Sequence, residues 1–417
     1  MSRLVMKFGG TSMADLERIR KSAAIVAAEV AAGRKVAVVV SAMAGQTNQL
    51  VAWTDQIGPA APGVPDSDDE YDVVVTTGEQ ITSGLMALTM RNMGLNARSW
   101  LGWQLPIRTD DAHGKARIAD IDGEALGRSM DSGVVAIIPG FQGVTEQDRV
   151  SALGRGGSDT SAVAVAAALG CPCDIYTDVD GVYTTDPRIE SRARRLDRVS
   201  YEEMLELASL GAKVLQTRSV ELAMAYKVPV RVLSSFVDPE TGRGVGGTVI
   251  CEEDEIVEKR IVSGVAMSRD EARITLLGLP DRADATATVF ARLGEANINV
   301  DMIVQSETRS ADLTNLVFTV GRRDARGAAE LMESIRSEIH FEECRVDGDV
   351  AKVSVVGVGM RSHAGVAETM FRALADKGIK LLAISTSEIK ISVLIDAAYT
   401  ELAVRSLHAA YGLAEPA

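Results

Sequence analysis

The sequence predicts an α/β protein with a largely parallel central sheet, helices on both of its faces, and two small α+β units after it. Three observations lead there. The first is the order of the opening segments: an apolar run at 3–8 ends in Gly9-Gly10, residues 15–32 read as a helix, and KVAVVV at 35–40 is a nearly continuous β-branched run. Strand, helix and buried strand in succession point to a parallel sheet covered by helices. The second is a change of texture after VDPETGRGVGGT, where the acidic stretch CEEDEIVEKR begins and short alternating strands replace glycine-rich loops. The third is an internal repeat, in which ITLLGLPDRADATATVFARLGEANINVDMI from Ile274 matches SVVGVGMRSHAGVAETMFRALADKGIKLLAI from Ser354. Phe290 and Phe371 stand 81 residues apart, as do Asn297 and Gly378, so one supersecondary unit is used twice.

Further strands at 71–76, 133–139 and 174–177, and helices at 80–93 and 160–169, continue the α/β pattern to about residue 245. GPAAPGVPDSDDE at 58–70 holds three prolines and an acidic end and reads as an exposed excursion. Each repeat runs strand, turn, helix, loop, strand, then a further strand, LTNLVFTV at 313–320 or IKISVLI at 389–395. The 417 residues exceed the roughly 250–300 that one core sustains. The expected division is an α/β domain at 1–245, a linker at 246–262, and two small units at 263–340 and 341–417.

Composition narrows the function. A net charge of -14 repels phosphate backbones and argues against nucleic acid as a partner. Four cysteines are too few for a disulfide scaffold, and Cys171-Pro-Cys173 lacks the Cys-x-x-Cys spacing of a redox or zinc motif. No run of about 18 apolar residues occurs, and MSRLVMKFGG has no signal-peptide pattern. A soluble, cytoplasmic protein without a membrane partner is expected.

Five glycine- or acid-marked turns carry the chemistry. In KFGGTS at 7–12, Gly9 and Gly10 suit either a tight strand-to-helix turn or a phosphate cradle, and Lys7 is either placed to stabilise charge on a transferred phosphoryl group or an ordinary surface lysine. The GxxxxGK[ST] pattern is absent, since this lysine precedes its glycines. SAMAGQTNQL at 41–50 offers Ser41 and Thr47, as caps or as contacts to a small polar substrate. In TTGEQITSG at 76–84, Glu79 either caps the next helix or binds a substrate ammonium group. LGRGGSDTSAVAVAAALG at 153–170 sets Arg155 among glycines, where a guanidinium has room for a bidentate pair with a carboxylate. Ser158 or Asp159 can cap the helix that follows, and Asp159 can instead orient lysines.

In IYTDVDGVYTTDPR at 175–188, Asp178 and Asp180 suit nucleotide hydroxyls, water or a magnesium shell, or are plain turn acids; DVDG lacks a full calcium-loop ligand series. Tyr183 and Arg188 line a nucleotide pocket or the surface, and Lys213 in SLGAKVLQTRS is a second cation for phosphate or an ordinary surface charge. The four histidines, at 113, 340, 363 and 408, lie outside these turns, which disfavours a histidine-dependent hydrolase.

Taken in order, KFGGTS, FQG at 141–143, GRGGSDTSA at 154–162, YTDVDGVYTTDPR at 176–188 and the paired C-terminal units resemble the aspartate kinases of the amino-acid kinase superfamily, over nearly the whole chain. The resemblance implies transfer of the γ-phosphoryl group of ATP, with Mg2+ accompanying it, to the side-chain carboxylate of L-aspartate. That step opens synthesis of lysine, threonine and methionine. It implies a catalytic set of Lys7, Asp159 and Lys213. Nucleotide contacts would come from Lys7, Gly9, Gly10, Thr177, Asp178, Asp180, Tyr183, Arg188 and Lys213. Aspartate contacts would come from Ser41, Thr47, Glu79, Arg155, Gly156, Gly157 and Ser158. No direct protein ligand to the metal is assigned.

The C-terminal units resemble ACT domains, and two such domains can interleave, so residue 340 is no firm boundary. Effector contacts are implied at Asp281, Asn297, Ile298, Gln305, Ser385 and Thr386, with lysine, threonine or both as inhibitors. The second unit carries His363-Ala364-Gly365 where the family often has His-Pro-Gly, and Gly378-Ile379-Lys380 opposite Asn297-Ile298-Asn299, so its seam need not take the same ligand. A homo-oligomer through the ACT domains, or a complex with a shorter regulatory chain, is implied as well. Two other functions compete: a kinase for another small carboxylate such as N-acetylglutamate, and an amino-acid sensor without catalysis. The full GRGGSDTSA turn and the tandem units disfavour the first; Lys7, Asp159 and Lys213 disfavour the second.

Overall fold

The strand Arg3–Phe8 lies near the centre of an eight-stranded sheet whose order is Arg198–Ser200, Thr248–Cys251, Val230–Ser234, Cys173–Thr177, Arg3–Phe8, Lys35–Val40, Val135–Pro139, Ala97–Ser99. A computed structural model describes residues 2–61, 64, 68–105, 107–210, 214–236, 246–256, 261–308 and 312–414. All pairings in this sheet are parallel except that of Val230–Ser234 with Thr248–Cys251. Side chains alternate across it. Leu4, Met6, Phe8, Val36, Val38 and Val40 share one core with Ile19, Ala23 and Val26 of helix Leu16–Ala31 and with Met86 and Met90 of helix Thr77–Asn92. The opposite register turns Lys7 toward helix Gly157–Leu169, whose small side chains are almost all buried.

Parallel pairing brings the C-terminal ends of the strands to one edge. Ser41 N donates to Phe8 O, Gly9 N to Tyr176 O, Gly140 N to Val40 O and Ser235 N to Thr177 O. The turns after four strands therefore meet there, at the rim where α/β sheets bind ligands. A smaller sheet, in the order Ile118–Ile121, Ile107–Thr109, Gln142–Val144, Val150–Ala152, flanks this region.

Two expectations change. Residues 71–76 are no strand: Asp68–Val75 is a helix, led by Asp68, Asp69 and Glu70, and the side chain of Asp72 is fully buried. Acids in a first turn complement the helix dipole, and that outweighs the β-propensity of Val73-Val74-Val75. The stretch 246–262 is more than a linker, because Thr248–Cys251 pairs on both sides within the sheet and buries Ile250 and Cys251. Of the excursion at 58–70, positions 62, 63 and 65–67 lie outside the described residues.

Among the described residues the chain forms two compact units. One comprises Met1–Val182, Arg195–Ala208 and Lys213–Val257; the other comprises Tyr183–Arg194, Ser209–Ala212 and Glu258–Ala417. The second unit holds an antiparallel six-stranded sheet in the order Val300–Glu307, Leu313–Val320, Gly264–Pro280, Glu343–Val356, Lys390–Asp396, Ala383–Thr386. Its two central strands are long and serve two cores. Arg273–Leu277 pairs with Glu343–Asp347 over a core built with helices Ala283–Glu295 and Ala325–Ser334. Gly264–Ser268 pairs with Lys352–Val356 over a core built with helices Val366–Ala375 and Thr400–Ala410. Register shifts around Glu271 mark the change from one core to the other. Residues 183–194 are fastened into this unit: Val265 N donates to Thr184 O at 2.7 Å, and the Thr184 hydroxyl lies 2.9 Å from Nε2 of buried His408.

Candidate active site

Two adjoining cavities, of about 340 and 410 Å³, open among the turns of the first unit. Their shared wall is Lys7, Gly10, Ala44, Asp159 and Gln216. Lys7 leaves the end of its strand buried, with Nζ 2.5 Å from Oδ1 of Asp159, itself buried in the first turn of helix Gly157–Leu169. A buried cation is sustained by such a partner, and removing either side leaves an uncompensated charge. The ammonium group also lies over Gly9, where a Cβ would stand 3.4 Å from Nζ.

The first cavity is lined by Ser41, Thr47, Glu79, Arg155, Gly156, Gly157 and Ser158 together with Asn48 and Phe141. Glu79 is 4% exposed and its Oε2 has no hydrogen-bond partner. Burial pushes its carboxyl up to about 7, against the backbone N–H groups of Ala42 and Glu79 and the charge of Lys7, which pull it down. An ammonium group entering the cavity would relieve that burial cost. Gly78 makes the approach of its helix possible, since a Cβ there would come 2.8 Å from Cβ of Ala42. Gly156 has φ of 76° and faces Gln216 so closely that any side chain would overlap it. Helix Gly157–Leu169 has no side-chain cap at Gly156, and its N-terminal turn lines the same cavity, which favours an anion. Arg155 beside that helix start adds a fork that matches a carboxylate.

The second cavity is lined by Gly9, Gly10, Thr11, Thr177, Asp178, Ile175 and Val214. Thr177 Oγ1 donates to Asp178 at 3.0 Å. All seven residues expected around aspartate thus border one cavity, and Lys7, Gly9, Gly10, Thr177 and Asp178 border the other. Asp180, Tyr183 and Arg188 line neither: Asp180 pairs with Arg195 at 3.2 Å, Arg188 pairs with Asp186 at 2.7 Å, and Tyr183 and Arg188 fall in the second unit. Lys213 lies outside the described residues. Gln216 and Asn48 were missed by sequence reasoning, because an amide side chain carries no motif. The closeness of Gln216 to Gly156 spans 60 positions of chain. No group of three or more His, Cys, Asp or Glu side chains suited to a metal occurs among the described residues.

In the second unit, Gln305 Nε2 donates to Asp281 Oδ1 at 3.1 Å. Asn297 takes the left-handed conformation, φ 54°, after helix Ala283–Glu295, and Ile298 packs on the first of the two cores. Ser385 and Thr386 lie on the edge strand Ala383–Thr386, opposite Ser392 and Ile391. No helix among the described residues is long and apolar enough to cross a membrane.

Comparison with known proteins agrees with this layout. Residues 2–234 match the amino acid kinase family, and residues 273–337 and 353–411 each match an ACT domain. An aspartokinase of Pseudomonas aeruginosa is 49% identical over 100% of this chain and 99% of its own length. One from Mycolicibacterium smegmatis is 45% identical over 99% and 97%. A crystal structure of E. coli aspartokinase III in complex with aspartate and ADP superimposes with a TM-score of 0.77 at 28% identity, covering 98% of this chain and 99% of that one. The chain belongs to the amino acid kinase family and, within it, to the aspartate kinases, with two C-terminal ACT domains.

Proposed function

We propose that this aspartate kinase uses the first cavity for L-aspartate and the second for ATP, and passes the γ-phosphoryl group across the wall formed by Lys7 and Asp159. The observation that carries this is the shared wall: one buried cation, held by a buried carboxylate, borders both cavities. A β-carboxylate oxygen attacks the γ-phosphorus, the bond to the β–γ bridging oxygen breaks, and 4-phospho-L-aspartate and ADP result. The acceptor is already ionised near neutral pH, so no side chain need take a proton. Positioning and charge compensation carry the step.

Arg155 and the start of helix Gly157–Leu169 hold a carboxylate of aspartate, Glu79 its ammonium group, and Ser41 and Thr47 the remaining polar edge. Gly9 and Gly10 receive the phosphates. Lys7 neutralises charge on the moving phosphoryl group while Asp159 holds its ammonium in place; Lys213 is the proposed second cation. Thr177 and Asp178, which border the second cavity, serve the nucleotide. Magnesium arriving with ATP would neutralise charge on its phosphate oxygens, with Asp178 as the nearby carboxylate on the nucleotide side.

The ACT domains point to feedback control by lysine, threonine or both, in a cytoplasmic homo-oligomer or a complex with a shorter regulatory chain, at the head of lysine, threonine and methionine synthesis. A crystal structure of E. coli aspartokinase III in complex with lysine and aspartate, with a TM-score of 0.75 at 28% identity, supports lysine as an effector. The contact of Gln305 with Asp281 supports a polar seam there. Purified protein with ATP, magnesium and aspartate should release ADP and an acyl phosphate that hydroxylamine traps; no aspartate-dependent product would refute the assignment. The same assay across lysine and threonine mixtures tests the effectors.

A further inference from the structure

Asp72 and Arg218 border neither cavity, yet each joins the same two stretches of backbone. Asp72, on helix Asp68–Val75, is fully buried. Its Oδ2 accepts from Ala152 N at 2.8 Å, both of its oxygens accept from Gly114 N at 2.9 and 3.1 Å, and Nδ1 of His113 lies 2.8 Å away. Arg218, on helix Thr217–Tyr226, donates from Nη1 to Leu153 O and from Nη2 to Ala116 O, each at 2.7 Å. Between these fastenings Ala116 N donates to Ala152 O at 2.9 Å. A carboxylate that receives N–H groups and a guanidinium that reaches carbonyls thus bind one pair of segments, 113–116 and 152–153, through opposite chemistry.

The next residues along the chain are Gly154 and Arg155. Gly154 rests against the braced segment so closely that a Cβ would stand 3.1 Å from Gly114 O. Within the turn Gly157 N donates to Gly154 O, Gly156 packs on Gln216, and no side chain caps the helix that follows. The nucleotide side is fastened separately, through Gly9 N to Tyr176 O.

We propose that Asp72 and Arg218 are positioning residues for the acceptor substrate: by clamping segments 113–116 and 152–153 together they set where the Arg155 guanidinium stands. This rests on the reading of Arg155 as a ligand of the aspartate carboxylate. A two-point pair tolerates little displacement, and errors of about 1 Å in a reacting group cost on the order of a hundredfold in rate. Acceptor recognition is therefore sensitive to the clamp, and nucleotide recognition is not.

The test compares Asp72→Asn, Arg218→Lys and Arg155→Lys in the full chain, with KM for aspartate and for ATP from steady-state rates and ADP affinity from calorimetry. Asp72→Asn turns an amide NH2 toward backbone N–H donors, and Arg218→Lys cannot span both carbonyls. Each is expected to raise the aspartate KM about tenfold or more, with the ATP KM and ADP affinity unchanged. The double variant should fall short of the product of the two effects, because both act on one clamp. Arg218 is only partly buried, so its lysine variant carries the test if Asp72→Asn does not fold. A raised aspartate KM for Arg155→Lys alone would overturn the clamp and leave the role of Arg155 standing. An unchanged aspartate KM for Arg155→Lys would remove the role of Arg155 and the clamp with it. Equal rises in both KM values would mark a general structural defect and overturn the proposal.

Discussion

Glu79→Gln separates the cost of burying a carboxyl in the first cavity from the use proposed for it. The Glu79 carboxyl is pushed from an ordinary value of 4.5 up to about 7, chiefly by burial. Its folded value exceeds its unfolded value, so the folded protein holds this proton more tightly. The stability Glu79 contributes in protonated form is fully present below pH 4.5 and is lost as pH rises toward 7. The difference corresponds to a ceiling of about 3 kcal/mol, at about 1.4 kcal/mol per unit. Glutamine keeps the shape and removes the titration. Its effect on packing and hydrogen bonding is independent of pH, so the pH dependence is the quantity to read. The stability of Glu79→Gln relative to the parent should grow by about 2 kcal/mol between about pH 5.5 and about pH 8.5. Urea unfolding of both proteins at the two pH values measures it, and the aspartate KM of the variant should rise because the proposed ammonium partner is gone. A stability difference that stays constant across this range would show that the carboxyl is ionised normally, and the account of the cavity would fail.

Lys7→Ala should lower the single-turnover rate by about a hundredfold or more through lost charge stabilisation, and an unchanged chemical step would refute the role. Gly156→Ala forces a side chain into the left-handed region and into Gln216; it should weaken aspartate binding and spare ADP binding, and an unaltered aspartate KM would show that the turn accommodates a Cβ. In the second unit, buried Lys352 pairs with buried Glu271 at 2.8 Å and with Asp301. Lys352→Met strands the Glu271 charge and should destabilise by about 3–5 kcal/mol, with much of that recovered on adding Glu271→Gln. An unchanged thermal midpoint for the single variant would contradict this.

What was legible in the sequence was mostly local. KFGGTS and GRGGSDTSA announce themselves because close approach of a ligand to backbone needs glycine within a few residues of a strand end. The repeat is visible because the same strand, helix and strand are written twice at a fixed offset. Residues 71–76 read as a strand from their valine run, whereas the acids of the first turn and the burial of Asp72 among N–H donors distant in the chain favour the helix. His113 looked idle since its partner stands 41 residues away. The residues expected around the nucleotide divide for a similar reason: Asp178 directly follows a strand of the first sheet, whereas Tyr183 and Arg188, a few positions on, lie in a segment fastened into the second unit through Thr184 and His408.

The amino-acid sequence by itself indicated the class of chemistry, because its glycine-marked turns, lysines and acids stand in the order that resembles the aspartate kinases. It also determined that a duplicated module follows. Tertiary structure decided that Lys7 and Asp159 form the wall between two cavities, that Gln216 sits against Gly156, and that the two long strands around Glu271 each serve two cores. Those facts depend on which parallel strands become neighbours and on the register of antiparallel pairs. Both are settled by burial summed over residues far apart in the chain, which no local pattern records.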